Sequence, residues 1–263
     1  MVDDELVTDL VDLLERRSEL LEHLRAEPRE KRVLVETLAV PRSTLDRAVR
    51  ELEAAGLITH ESSGYALTPL GERLLDEFAA FRTRVGCTVE LEPVLRWIPP
   101  GTLDLDLQWL TDADCWTPEP NDPWAMVNRH VRALESTERV RGILPLVALH
   151  GVEVLHERVL EADADAQFVV EPGVAETLRT DETYAPLFRD LQARKPPTFI
   201  VADDRSIPYF LGVFDDELVQ IGVDEESEPR ALLESRDERV LEWARETIEE
   251  YQQAASPIAD ATE

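Results

Sequence analysis

The chain has 263 residues, and its 56 acidic against 27 basic side chains give a net charge of −29. That length suffices for one large or two ordinary domains with separate cores, and two domains are the expected arrangement. Because DNA is a polyanion, so acidic a total disfavours a nucleic-acid partner unless the charge is unevenly distributed. Cys87 and Cys115 are too few for a disulfide framework or a cysteine-rich zinc site, which favours a reducing compartment.

The chain shows no pattern of a targeting or membrane segment. Its first ten residues, MVDDELVTDL, are acidic where a signal peptide is basic. The most apolar stretch, residues 142–155, is too short to span a bilayer and is interrupted by Pro145, His150 and Glu153. We therefore expect a cytoplasmic protein without a membrane partner.

The charge is distributed unevenly along the chain. Lys31 and Lys195 are the only lysines, and acidic side chains occur in every segment, a composition typical of proteins that work in concentrated salt, where charge repulsion is screened. Residues 1–85 carry a net charge of −6 and residues 86–263 a net charge of −23. Within residues 29–50 six basic side chains outnumber three acidic ones, so a local basic patch persists.

The first 86 residues predict a winged helix-turn-helix domain. Leucines at helical spacing predict a long first helix that Pro28 ends, and a short second helix over about residues 29–38 would bury Val33, Leu34 and Leu38. Pro41 lies in the turn before a third helix, for which Ser43 or Thr44 is the expected amino-terminal cap and Gly56 the expected end.

A hairpin and a further helix complete this pattern. Residues 57–59 and 65–68 read as two short strands around a turn at Ser62, Ser63 and Gly64, which would form the wing. Pro69 then opens a helix that extends to about residue 84.

The third helix is the candidate recognition helix. Apolar side chains at Leu45, Ala48, Val49 and Leu52 would bury one face, leaving the opposite face free to enter a major groove. We expect Ser43, Thr44 and Arg47 nearest the bases and Arg42 and Arg50 nearer the phosphates. The expected flanking backbone contacts are Arg29, Lys31, Ser62 and Ser63.

Two runs carry a family resemblance. PRSTLDRAVRELEAAGLI followed by GYALTPLGERLL resembles archaeal winged helix-turn-helix regulators, particularly haloarchaeal ones whose second half is a methanogenesis-regulator type of domain. The later run LESTERVRGILPLV is similar to that second domain. The resemblance implies a transcriptional regulator that binds double-stranded DNA, and it covers nearly the whole chain. Because winged domains double their contacts on paired half-sites, we expect a homodimer, with the helix near residues 69–84 or the second domain as its interface.

The remaining residues predict an α/β effector domain over 87–253 and a frayed tail over 254–263, so that the fold class is α+β. Because strands and helices alternate and a hairpin surrounds Asp215 and Asp216, the sheet is expected to be mixed. The predicted elements are helix 123–134, strand 140–149, helix 151–161, strand 167–170, helices within 174–193, strands 198–202, 209–214 and 218–223, and helix 236–253.

No short catalytic motif is present, and the sequence predicts neither an enzyme nor a metal or cofactor site. Regulators of the related TrmB type have an effector domain resembling the phospholipase D fold, whose catalysts need a His-x-Lys motif. Here Arg132 stands where that lysine would follow His130, and the nucleophile, P-loop, zinc-protease and dinucleotide motifs are also missing.

Polar residues after the predicted strands suggest a pocket for a small metabolite, because open α/β sheets leave crevices at the carboxyl ends of their strands. Helix caps and solvated turns are the alternative explanation for these residues, and core packing is the alternative for the tryptophans. The candidate effector contacts are Trp116, Trp124, His150, Glu171, Asp203 and Arg205.

Two hypotheses of function remain. In the first, the chain is a sequence-specific transcription factor, and an effector in the second domain changes the spacing of two reading heads. In the second, the chain is a protein-interaction adaptor whose winged domain has lost DNA contact. Arg42, Arg47 and Arg50 distinguish the two, since only the first hypothesis requires them on DNA.

Overall fold

The computed structural model describes residues 3–194, 197–202 and 206–258. The chain forms two compact units, with the boundary between Gly86 and Cys87. The first unit is mainly helical with a small hairpin, and the second combines helices with a large mixed sheet, which confirms the predicted α+β class.

The first unit has three helices, a hairpin and a long final helix. Its leucine-rich core is formed by the helices and the first strand, and includes the fully buried Leu21, Leu34, Leu52 and Leu57. Its elements are α1 (Asp4–Arg25), α2 (Lys31–Leu38), α3 (Arg42–Ala54), β1 (Ile58–Glu61), β2 (Gly64–Leu67) and α4 (Pro69–Glu90).

Two local expectations for this unit are wrong. Val33 is exposed and Leu38 only partly buried, because Leu34 faces the core and Val33 lies about 100° around α2 from it. The amino-terminal cap of α3 is Pro41, not Ser43 or Thr44, and the helix begins at Arg42 without a side-chain cap. The predicted end of α3 is confirmed, since Gly56 follows it with φ +71°, a left-handed conformation that glycine adopts without strain.

The wing is a two-residue hairpin at Ser62 and Ser63 that gains a third backbone partner. Glu61 pairs with Gly64 across the turn, and Tyr65 exchanges two backbone hydrogen bonds of 2.8 and 2.9 Å with Arg29. Gly64 has φ +124°, and a Cβ there would lie 2.4 Å from the Arg29 carbonyl carbon. A glycine is therefore required where Arg29 crosses the hairpin.

The second unit begins with short helices and continues as alternating helices and strands. A 3₁₀ helix spans Leu107–Leu110. The other elements are α5 (Glu92–Leu95), β3 (Asp114–Trp116), α6 (Ala125–Ser136), β4 (Arg139–Leu144), α7 (Leu149–Glu161), β5 (Asp165–Val170), α8 (Pro172–Thr180), α9 (Tyr184–Gln192), β6 (Phe199–Ala202), β7 (Phe210–Phe214), β8 (Leu218–Glu225), β9 (Glu228–Ser235), α10 (Glu238–Gln253) and β10 (Ala255–Pro257).

Within the described residues, these strands form one eight-stranded sheet in the order β10-β6-β5-β4-β7-β8-β9-β3. β4, β5 and β6 are parallel, and the other pairings are antiparallel. Alternate side chains face opposite sides, so Val169 packs with α10 and α5 while Phe168 and Val170 pack with α6 to α9. Helices on both faces explain why these strands are apolar on both sides.

Three strands were missed by the sequence patterns, and one element was misplaced. β3 and β9 were not predicted, and residues 255–257 of the supposed frayed tail form an antiparallel edge strand on β6. The predicted strand 140–149 stops at Leu144, so His150 lies in the first turn of α7. Among the described helices, none combines the length and apolar character that a bilayer crossing requires.

Candidate functional site

The exposed face of α3 carries the side chains predicted to contact DNA. Its buried face, formed by Leu45, Ala48, Val49 and Leu52, packs into the core of the first unit. This anchoring leaves the polar face in solvent, and its exposed side chains are Arg42, Ser43, Thr44, Arg47 and Arg50.

Glu51 of α3 holds two arginines, one from the exposed face of the same helix and one from α1. Arg47 donates from Nε to Glu51 Oε1 at 2.9 Å, and Arg17 of α1 donates to Glu51 Oε2 at 2.8 Å. The hydrogen bonds from Arg17 and then Arg47 lower the pKa of Glu51 to about 2. Arg47 is therefore neutralised locally, and a phosphate or base must compete with Glu51 for it.

The residues predicted to contact the DNA backbone beside α3 differ in their exposure and in their side-chain partners. Ser62 and Ser63 are exposed at the wing tip. Lys31 donates to Asp46 at 2.9 Å and lies 5.3 Å from the centre of the Tyr65 ring, and its hydrogen bond lowers the pKa of Asp46. The side chain of Arg29 is half-buried, with Glu27 3.5 Å away. The backbone of Arg29 contributes to the wing through its two hydrogen bonds with Tyr65.

The structure does not bring the predicted effector residues together. Trp124 is 58% exposed, while Trp116 lies on β3 with the Arg129 guanidinium 5.2 Å from its ring. Glu171 accepts hydrogen bonds from the Ile207 amide and the Ser206 hydroxyl, a contact that fastens the 206–207 segment. The predictions at Asp203 and Arg205 lie outside the described residues.

His150 is the predicted effector residue that borders a cavity. The cavity has a volume of about 150 Å³ and lies between α6, α7 and the sheet. Most of its wall is aliphatic or aromatic, and among the described residues that line it Asp224 alone carries a full charge. The lining includes Met126, Val131, Leu144, Val152, Phe168 and Phe210.

His130 is a polar residue in the wall of this cavity, and a buried chain of hydrogen bonds holds it. Its Nδ1 lies 2.8 Å from Gln220 Oε1, and Gln220 donates from Nε2 to Glu234 Oε1 at 2.7 Å. Arg129 donates to the other oxygen of Glu234 at 2.6 Å. Gln220 and Glu234 are opposite each other in the β8–β9 register and are buried.

Burial lowers the pKa of His130, and the hydrogen bond to Gln220 and the charge of Glu234 oppose this shift. The ring also meets Phe210 edge to face, with 4.8 Å between centroids. Sequence reasoning considered His130 only as part of a failed His-x-Lys motif. The sequence signal for this site is the pair Arg129 and His130 on a helix, together with Gln220 and Glu234, two polar residues within strands that the helix faces.

Metal ligation is not supported in the part of the chain that the structure describes. There, no three or more His, Cys, Asp or Glu side chains are grouped closely enough to hold a metal ion.

A winged-helix unit followed by a mixed α/β unit defines the class of this molecule. Residues 123–254, half of the chain, match the family model described as the middle domain of the methanogenesis regulatory protein FilR1. The chain therefore belongs to that family. Residues 5–90 match the model described as the HVO_A0261 N-terminal domain. No curated protein matches the chain in sequence.

Three solved structures are similar at low identity. TrmBL2, described as an archaeal chromatin protein with a novel mode of DNA binding, aligns over 95% of this chain and 99% of its own, with 15% identity and a TM-score of 0.42. NucT from Helicobacter pylori covers 55% of this chain and 98% of its own, with 10% identity and a TM-score of 0.42. Nuc from Salmonella typhimurium, a phospholipase D family member, covers 57% of this chain and 99% of its own, with 12% identity and a TM-score of 0.41. Similarity at this level establishes neither a shared activity nor a shared ligand.

Proposed function

We propose that this protein is a sequence-specific DNA-binding transcriptional regulator of an archaeal, halophilic type, and that it is not an enzyme. The observation that carries the proposal is the face of α3, where five polar or basic side chains are exposed together while the opposite face is anchored in the core. A helix so presented fits a major groove, and a hairpin beside it reaches adjacent phosphates. Membership of a family named for a regulatory protein supports the same function.

The amino-terminal end of α3 supports phosphate binding beside base contacts. The helix begins at Arg42 without a side-chain cap, and the Thr44 amide already donates to the Pro41 carbonyl, so the amides of Arg42 and Ser43 are the ones available to an anion. Arg42 is exposed at this end of the helix, and Arg50 is exposed about two turns further along. We assign Ser43, Thr44 and Arg47 to base contacts and Arg42, Arg50, Arg29, Lys31, Ser62 and Ser63 to the DNA backbone.

The regulator acts as a homodimer, and the second unit binds a small-molecule effector in the apolar cavity between α6, α7 and the sheet. Paired half-sites double the contacts of a single winged domain. An effector that binds one arrangement of the dimer more tightly than another shifts the population and hence the affinity for DNA. His150 borders this cavity, whereas Trp116, Trp124 and Glu171 do not line it.

Replacing Arg47 with alanine tests the DNA contact. We expect Arg47→Ala to weaken binding to the preferred operator by about 1–3 kcal/mol if Arg47 reads a base, with little effect on binding to unrelated DNA. The measurement is fluorescence anisotropy at high potassium chloride, with an operator selected from genomic fragments by the wild type.

Arg236→Ala is the matched control, because Arg236 is an exposed arginine of the second unit. It should bind the operator like the wild type. Failure of the wild type to enrich any fragment would reject DNA binding and favour an adaptor that docks a protein partner. Equal affinity of Arg47→Ala and the wild type would reject the assignment of Arg47 to a base contact.

A further inference from the structure

The cavity of the second unit has a chemical selectivity that the general proposal of an effector does not specify. We infer that it binds a small, uncharged, single-ring molecule bearing one hydrogen-bond donor, of the phenol class, and that Nε2 of His130 accepts that hydrogen bond. This inference rests on the proposed function in that it names the ligand class of the effector site.

The hydrogen-bond chain determines which nitrogen of His130 carries the proton. The Glu234 carboxylate accepts from Arg129 at one oxygen and from Gln220 at the other, so the amide group of Gln220 must point its NH₂ towards Glu234. Its Oε1 then faces His130 and can only accept, which places a proton on His130 Nδ1. In the neutral ring Nε2 is consequently a hydrogen-bond acceptor.

The described residues form no hydrogen bond to Nε2, although His130 lines the cavity. Nε2 is accessible at the cavity wall and is not a buried atom without a partner. A ligand that brings a donor would pair with this acceptor, whereas an apolar ligand that covers it would leave it without a partner, which is unfavourable. Burial keeps the ring in its neutral form by lowering its pKa, so the site does not offer a positive charge to an anion.

The volume of the cavity and the charges of its lining residues restrict the class of ligand further. A volume of about 150 Å³ is the size of cavity that accommodates benzene, so a single ring is the appropriate size. Neither lysine nor arginine lines the cavity among the residues that are described, and Asp224 borders it. Carboxylates and phosphates are therefore disfavoured, and a sugar would leave most of its hydroxyl groups without partners.

Calorimetric titration of the full chain, without DNA, tests the inference with phenol, toluene and benzoate as probes. We expect phenol to bind, benzoate to give no measurable heat, and toluene to bind through the cavity wall alone. In His130→Phe the ratio of phenol to toluene affinity should fall by roughly tenfold, the effect of one hydrogen bond. Trp124→Ala, at an exposed residue that does not line the cavity, should leave the ratio unchanged.

A measurement on the wild type makes the test independent of the folding of any variant. In ¹⁵N NMR spectra at neutral pH, His130 Nε2 should resonate as the unprotonated nitrogen and should shift when phenol, but not toluene, is added. A protonated Nε2, benzoate binding as tight as phenol, an unchanged ratio in His130→Phe, or no binding of phenol would each overturn the inference.

The two proposals fail separately in these experiments. The titration contains no DNA, so loss of phenol binding would leave the Arg47→Ala result standing. Conversely, absence of operator binding would reject the regulator while the selectivity of the cavity is still measured.

Discussion

At the scale of single residues, the carboxylates that pair with basic side chains determine whether those side chains can be released to bind another partner. Glu51 holds Arg47 on the exposed face of α3, and the buried Glu234 holds the partly exposed Arg129 in the second unit. Arg47 is largely solvated in the first pair, so DNA can displace Glu51 from it. In the second pair the buried Glu234 orients His130 through Gln220, so it acts as a fixed support.

The stability of the second unit should depend on pH through His130. Burial lowers the pKa of this ring below the ordinary 6.5. As the pH falls through 6.5 the unfolded chain therefore takes up a proton before the native state does, and the free energy of unfolding decreases. We expect the free energy of unfolding of the wild type, measured in urea, to decline as the pH falls through 6.5, and to decline less steeply for His130→Gln.

The glutamine keeps a donor for Gln220 but does not titrate. His150→Gln is the matched control, since the His150 side chain is 66% exposed, and it should retain the wild-type slope. Parallel pH profiles for the wild type and His130→Gln would contradict the assignment of the decline to His130.

At the scale of elements, α4 carries a row of exposed apolar side chains. Phe81, Val85 and Val89 are 51%, 45% and 67% exposed and are spaced by four residues, so they lie along one side of the helix. Exposed apolar rows of this kind are typical of protein interfaces. We therefore expect α4 to contribute to the interface of the proposed homodimer.

A charge in this row should separate the protomers. We expect Val85→Glu to convert a dimer into a monomer in sedimentation equilibrium, because an unpaired carboxylate would be buried at the interface. Thr83→Glu introduces the same charge about 200° around the helix, and should remain dimeric. A wild type that sediments as a monomer, or a dimeric Val85→Glu, would exclude this interface.

Elements whose pattern is local could be predicted from the sequence. The buried face of α3, the glycine that ends it and the turn at Ser62 and Ser63 all depend on residues within a few positions. β9 was missed because it reads as apolar only from Ala231 to Leu233 and then continues into Glu234, which is buried. That burial is tolerated because Gln220 of β8 lies opposite and donates to one oxygen of Glu234, while Arg129 donates to the other.

The cavity could not be predicted, because its polar group depends on distant partners. Gln220 is 90 residues from His130, and Glu234 is 105 residues from Arg129. The expected effector site relied instead on residues following strands, and Glu171 proved to fasten a neighbouring segment. Patterns in a sequence report which side chains are polar but not which of them meet across a sheet.

At the scale of the whole molecule, a basic recognition face belongs to a chain with a net charge of −29. In water of low ionic strength this charge would repel DNA, whereas at about 1 M salt the Debye length is about 3 Å and only nearby charges matter. In concentrated salt the negative charges elsewhere in the chain are therefore screened and do not repel DNA at the contacts of α3. This supports the halophilic assignment in the proposed function.

The salt dependence of DNA binding should be shallower than the number of basic residues suggests. Six basic side chains lie within residues 29–50, which would give a slope of about −5 per winged domain if each displaced a counterion from a phosphate. Arg47 and Lys31 are already paired with Glu51 and Asp46, so DNA exchanges one ion pair for another and releases fewer ions. We expect a slope of clearly smaller magnitude in anisotropy titrations at several potassium chloride concentrations. Glu51→Gln, which frees Arg47, should steepen the slope and Glu238→Gln, on an exposed residue of α10, should not; a wild-type slope at or beyond the full count would show that these ion pairs do not persist in solution.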